Sequence, residues 1–137
     1  MIAEKLKPHG LRVGYHNNGF DFITIAGKTK WHILADNTSR DVILQLDTGN
    51  AATAGRYVDV VELINRYPGR TISIHIKPFS SKNHKALLGE DELDWPEIFD
   101  TCENTGGTEW YIIEYEKEGI PPLQAMKMNL ENMRKLL

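Results

Sequence analysis

VILQLDTGN (residues 42–50) and TISIHIK (71–77) are the stretches on which the fold of this chain turns. Both are short runs of aliphatic and β-branched residues, the composition of strands buried on at least one face. Each leads into a side chain able to bind a metal, Asp47 in the first and His75 in the second. Two further segments repeat the pattern. LRVGYHN (11–17) carries His16, and WYIIEYE (110–116) carries Glu114. The four candidate ligands lie 31, 28 and 39 positions apart, about the length of one strand-plus-helix unit. A parallel sheet with helical crossovers brings such distant residues to one edge. Four units of this kind make half of a closed barrel, which needs eight.

Alternation within the strands assigns their faces. Val13, Tyr15, Leu44, Leu46, Ile72, Ile74, Ile76, Tyr111, Ile113 and Tyr115 form a large apolar phase. In a sheet covered by helices on one face, this phase packs on the helices. The other phase is smaller or polar: Gly14, His16, Gln45, Asp47, Ser73, His75, Lys77, Ile112, Glu114 and Glu116. It faces a barrel interior or a partner. All four candidate ligands fall in this second phase, near the C-terminal strand ends where barrel active sites lie.

The intervening segments read as helices and turns. Residues 2–7 form a helical end stopped by Pro8 and Gly10, and Phe20 to Ile25 forms a short extra strand before a turn at Gly27. Helices are expected at 31–38, at about 57–67 up to Pro68-Gly69, and from Pro96 to Gly106-Gly107. A long polar loop, PFSSKNHKALLGEDELD, precedes the third of these. In the final helix Leu123, Met126, Leu130, Met133 and Leu137 recur at three and four, the stripe that burial against a sheet requires. Trp95 and Trp110 read as packing residues rather than a ligand-stacking platform, and His84 as exposed.

At 137 residues the chain is one domain, residues 1–137, with 41% hydrophobic and 26% charged residues. A net charge of −3 gives no general attraction to nucleic acid, and no apolar run is long enough to span a membrane. The first residues lack a secretory apolar core, and the lone Cys102 excludes an intrachain disulfide. Cys102 shares a helical face with Ile98 and Phe99 and reads as a buried, inert thiol. A cytoplasmic location is the expectation.

Five segments together resemble a known family: GYHNNGFDF, LQLDTGNAATAG, SIHIKPF, LGEDELDWPEIFDTCENTGGTEWYIIEYE and PLQAMKMNLENMRKLL. They are similar to the C-terminal half of sugar phosphate isomerase/epimerases, in the xylose isomerase-like TIM barrel superfamily. The resemblance spans essentially the whole chain. It implies an α/β fold that is half of a (β/α)8 barrel, with four parallel strands corresponding to strands five to eight. It also implies a divalent metal at the strand ends, with Asp47, His75 and Glu114 on strands six, seven and eight. His16 occupies the strand-five position, where related ketose epimerases carry a glutamate. Asn18 replaces the second histidine of the family's strand-five motif, and Asp91 replaces a glycine that usually follows LGE.

Two imidazoles and two carboxylates suit Mn2+, Co2+, Zn2+, Fe2+ or Mg2+ without separating them. Such a site supports removal of a proton beside a carbonyl and stabilisation of the enediolate. The expected function is therefore a divalent-metal-dependent isomerase or epimerase of a sugar or sugar phosphate. Glu114 is the expected base, with Lys77 and Glu90 as assisting residues. A second reading is a non-catalytic half-barrel module that binds or assembles but does not turn over. A DNA-directed nuclease of the same superfamily would need more ligands and a basic surface. An open half barrel leaves two sheet edges unpaired; the chain is then a fragment of a longer protein, a half barrel that dimerises or a decayed relic, and completion by a homodimer is the expectation.

Overall fold

A computed structural model describes residues 2–53 and 58–137. Helix α1 (Ile2–Leu6) and a 3-10 turn (Lys7–His9) lead into β1 (Val13–His16). A second 3-10 turn (Gly19–Phe22), the hairpin β2 (Thr24–Ile25) and β3 (Lys28–Thr29), and α2 (Lys30–Asp36) follow. Next come β4 (Val42–Asp47), α3 (Thr48–Ala52), α4 (Val60–Arg66) and β5 (Ser73–Ile76). The chain continues through α5 (Trp95–Thr101), a π turn (Cys102–Gly106), β6 (Trp110–Ile113) and α6 (Pro122–Leu136).

The main sheet has the order β1-β4-β5-β6, and all three pairings are parallel. This is four successive strands of a barrel wall, half of the eight that close one. Helices cover one face only. The apolar phase lies beneath them: Leu44, Leu46, Ile74 and Ile76 pack with Ile64, Trp95, Ile98, Phe99 and Cys102 in one core. Cys102 is fully buried, and desolvation pushes its thiol up to about 11, so it is inert at neutral pH. Buried Arg70 ties the start of β4 to α2, donating to the carbonyls of Val42 and Ala35 and to Thr38 Oγ1.

The opposite face is open. Trp110 is 67% exposed and Ile112 39%, because both belong to the phase that points away from the helices. The packing role expected of Trp110 is therefore overturned, whereas Trp95 is buried as expected. The apolar stripe expected of α6 is also corrected. Its buried positions are Ala125, Asn129 and Met133, while Leu123 is 85% and Leu137 69% exposed. Hydrogen bonds select this face: Asn129 Oδ1 accepts from the Leu88 amide, and Asn132 donates to the Leu88 carbonyl.

Other boundaries shift for local reasons. Residues 20–22 turn rather than extend, since Phe22 buries beside Trp31 and the Asp21 carboxylate accepts from the Asn18 amide. Only Thr24–Ile25 of the expected strand pairs, across the Ala26-Gly27 turn. Helix α4 starts at Val60, where Asp59 caps the Glu62 amide; the start expected at 57 lies outside the described residues. The long loop after β5 is fastened rather than loose. Asp91 accepts from the amides of Phe79 and Gly89 and from Trp95 Nε1, and Ala86, Leu87 and Leu88 are buried.

Candidate metal centre

Register fixes the height of each candidate ligand. Asp47 lies opposite His75, and His75 lies opposite Ile112, two residues before Glu114. His16 lies opposite Gln45, two residues before Asp47. All four therefore share the inner face, and the steps of two residues follow the stagger of strands in a barrel. Side chains stand roughly perpendicular to a sheet, so on a flat one His16 and Glu114 would stay at least about 14 Å apart, the width of three strand spacings alone. Instead one ligand atom from each of His16, Asp47, His75 and Glu114 lies within 4.8 Å of all the others. The inner face is thus concave, and its curvature makes the cluster. The same curvature lets Arg12, before β1, clasp Glu109, before β6, through two 3.0 Å hydrogen bonds at the other end of the sheet.

Asp47 is the hub. Its side chain is fully buried at the junction of β4 and α3. Oδ1 accepts from the Asn50 amide at 2.7 Å, capping α3. Oδ2 has no hydrogen-bond partner among the described residues, and neither has His16 Nε2, 3.5 Å away. His75 Nδ1 is 4.0 Å and Lys77 Nζ 3.9 Å from the same Oδ2. Burial raises the Asp47 carboxyl above its ordinary range, with the Asn50 amide and Lys77 opposing.

Glu114 continues the ladder one residue past β6, its amide donating to the Ile76 carbonyl. One carboxylate oxygen meets His75 Nδ1 and the other accepts from Lys77 Nζ at 2.7 Å. Burial alone would raise this carboxyl, but the hydrogen bonds from Lys77 and His75 outweigh it and hold it below the usual range. Lys77 also reaches Glu116 at 2.6 Å and Asn50 Oδ1 at 3.3 Å. Desolvation works against its charge, yet Glu114 and Glu116 raise its pKa above the ordinary lysine value.

Supporting residues emerge that strand phase alone does not single out. Asn17 locks β1 to β4, its Oδ1 accepting from the Asp47 amide at 2.6 Å and its Nδ2 donating to the Asp47 carbonyl. Asn50 donates in turn to the Asn17 carbonyl. Thr48 Oγ1 accepts from the Lys77 amide and lies 3.1 and 2.9 Å from the carbonyls of His75 and Lys77. Gly49 leaves room for Lys77, because a Cβ there would stand 2.6 Å from Lys77 Cγ. The Asp-x-x-Asn spacing of 47–50 is the one sequence signal for this shell, as a helix cap. The partners of Asn17 require the strand register.

The structure thus brings together His16, Asp47, His75, Glu114 and Lys77. Glu90 is placed elsewhere: it is exposed, and its carboxylate accepts from the Leu87 amide of its own loop. The four-residue cluster suits a divalent cation on its own evidence. It offers two imidazoles and two carboxylates, and two of its buried polar atoms face each other without a proton-sharing partner.

Comparison with known proteins matches this fold. A sugar phosphate isomerase/epimerase from Parabacteroides distasonis ATCC 8503 superposes with a TM-score of 0.81 at 23% identity, over 98% of this chain and 49% of that one. A second such protein from the same organism gives 0.70 at 19% identity, over 97% and 48%. A D-tagatose 3-epimerase-like protein gives 0.56 at 21% identity, over 98% and 52%. The chain thus spans about half the length of these solved structures. No curated protein matches it significantly. The xylose isomerase-like TIM barrel family model matches residues 1–136, and the chain belongs to that family, with the fold of one half of its barrel.

Proposed function

We propose that the chain forms the metal-binding half of an isomerase or epimerase acting on a sugar or sugar phosphate. The observation that carries this reading is the convergence of His16, Asp47, His75 and Glu114 on the concave end of the sheet. These four residues would hold a divalent cation, which when bound supplies Lewis-acid stabilisation of negative charge developing on substrate oxygens. Glu114 is the proposed base. Its depressed pKa keeps it ionised at neutral pH, ready to take a proton from the carbon beside a carbonyl. Returning the proton to the former carbonyl carbon, with the neighbouring hydroxyl proton passing to the carbonyl oxygen, gives isomerisation; delivery of another proton to the opposite face of the same carbon by a second donor, Glu114 keeping the first, gives epimerisation. Lys77 holds one Glu114 oxygen and so fixes where the carboxylate points.

The test is twofold: divalent-metal content of the purified chain, and deuterium exchange from solvent into a panel of aldoses, ketoses and their phosphates. Stoichiometric metal with exchange at the carbon next to the carbonyl is expected. A chain that binds no divalent ion and exchanges no proton would overturn the proposal.

The open inner face favours a second reading, a module that binds or assembles without turnover. Either reading requires a cover for Trp110, Ile112 and the unpaired sides of β1 and β6. We propose a second copy of this chain as that cover. Because the four strands of the main sheet are parallel, a two-fold along the barrel axis would set β6 of one copy beside β1 of the other with matching polarity. Sedimentation should give twice the chain mass, and Trp110→Glu should give the monomer. A monomeric parent chain would exclude this assembly.

A further inference from the structure

Beside the metal centre lies a cavity of about 420 Å3, lined by residues of α3, the loop after β5 and the turn after β6. It shares Lys77 and Gly49 with the centre, so the two sites are separated by no more than one lysine side chain. Three of its lining residues are lysines: Lys77, Lys85 and Lys117. Their situations differ. Lys77 is neutralised by Glu114 and Glu116. Lys117 is half-buried; among the described residues its ammonium donates to the Ala86 carbonyl at 3.2 Å and lies 5.8 Å from the centre of the Tyr115 ring. Among the described residues, neither Lys117 nor Lys85 forms an ion pair. Burial holds the Lys117 ammonium below the ordinary lysine range; Asp91 counters this in part, and Lys77 adds to it.

The walls of this cavity are fastened. Tyr115 donates to the Lys85 carbonyl at 2.9 Å, and Glu92 binds Ser80 and Ser81 across the loop. Lys85 Nζ reaches over the turn after β6, where a Cβ on Gly119 would stand 2.7 Å from it. A glycine there lets the ammonium of one loop close over the next. His84 also lines the cavity, and among the described residues the exposed Glu118 at the rim pairs with neither lysine. At the opposite end of the strands, a second cleft of about 370 Å3 is also basic, but Lys7, Arg12 and Arg70 there already have acceptors.

A half-buried ammonium without a counter-ion is costly, and a bound anion removes that cost. We propose that this cavity is the subsite for a phosphate ester carried by the substrate, with Lys85 and Lys117 as its cationic donors. Two ammonium groups without an ion pair among the described residues match a dianion better than the single charge of a carboxylate. The substrate would then be a phosphorylated sugar, its reacting carbons at the metal centre and its phosphate beyond Lys77. This assignment rests on the proposed isomerase or epimerase reading.

Calorimetric titration of the full chain tests it with four probes: inorganic phosphate, a ketohexose 6-phosphate, the neutral ketohexose and an aldonate. Metal binding is measured separately. The phosphate ester is expected to bind at least about tenfold more tightly than the neutral sugar, the worth of one charge-assisted hydrogen bond. Lys85→Gln and Lys117→Gln should each remove most of that preference while leaving metal affinity unchanged. Lys85 is exposed, so its variant reports even if Lys117→Gln fails to fold. Equal binding of ester and neutral sugar, or a preference that survives both substitutions, would overturn the subsite. An aldonate that binds as well as the ester, with the same lysine dependence, would overturn its assignment to phosphate. Lysine-dependent phosphate binding in a chain without metal affinity would uphold the subsite and sink the catalytic reading.

Discussion

Asp47→Asn is expected to lower divalent-metal affinity by at least ~100-fold, since even residues that only support a ligand contribute roughly 10–100-fold. The metal-free chain is expected to lose no stability from the same change. Both expectations follow from one side chain. Asn keeps the Oδ1 acceptor that caps the Asn50 amide, so α3 retains its start. What it removes is a fully buried negative charge whose second oxygen has no hydrogen-bond partner among the described residues. The pH dependence separates this from a packing effect. Burial raises the Asp47 carboxyl in the folded chain above its unfolded value. Folding therefore favours the protonated form, and stability falls as pH rises from the unfolded carboxylate pKa through the raised folded one. Glu114 works the other way: its depressed folded pKa contributes stability above the unfolded value that is lost as pH falls. Subtracting the Asp47→Asn profile from that of the parent isolates the first effect. Chemical unfolding of metal-free protein between pH 4 and about 8 measures it. A parent chain more stable than the variant at neutral pH without metal would refute the buried-charge account.

How much of this was open to reading before the fold was known depended on the interaction involved. His16, Asp47, His75 and Glu114 were legible because strand alternation and strand ends are local patterns, and a parallel sheet converts both into proximity. Lys77 followed from sharing a face with His75. The buried side of α6 was not legible. A stripe of leucine and methionine competed with Asn129 and Asn132, and backbone groups of a loop some forty residues away decided the outcome. Asp91 read as a departure from a glycine pattern, yet its carboxylate gathers two amides and an indole to shape that loop. Trp110 shows the limit of composition. A large aromatic in a strand suggests packing, but its phase turns it to the open face, where it stays 67% exposed. Asn17 joins two strands at Asp47, a pairing that register alone discloses.

Glu114→Gln is the change that separates an enzyme from a binding module. The substitution keeps the volume of the side chain and leaves Lys77 its contacts with Glu116 and Asn50. It deletes the one carboxylate in the cluster that is both held ionised and partly exposed, the other, Asp47, being fully buried with a raised pKa. His16 and His75 bear on the same ligand cluster, so neither imidazole is a free substitute base while its nitrogen is engaged. If Glu114 moves the proton, exchange of solvent deuterium into substrate should fall by roughly 10²–10⁴-fold, the span that general-base catalysis contributes. Metal affinity should fall too, because a neutral amide replaces a charged ligand, so the comparison belongs at saturating Mn2+. A loss that persists at saturation assigns proton transfer to Glu114, whereas one that vanishes there assigns it only to metal binding. Sugar bound equally by parent and variant, with no exchange in either, would establish the non-turnover module. Rescue by Glu114→Asp would be weak for a base, since shortening the chain withdraws the carboxylate by about 1.5 Å from a geometry that tolerates about 0.5 Å. A role confined to charge balance beside Lys77 would instead survive that shortening, because Coulomb attraction varies gradually with distance whereas proton transfer does not.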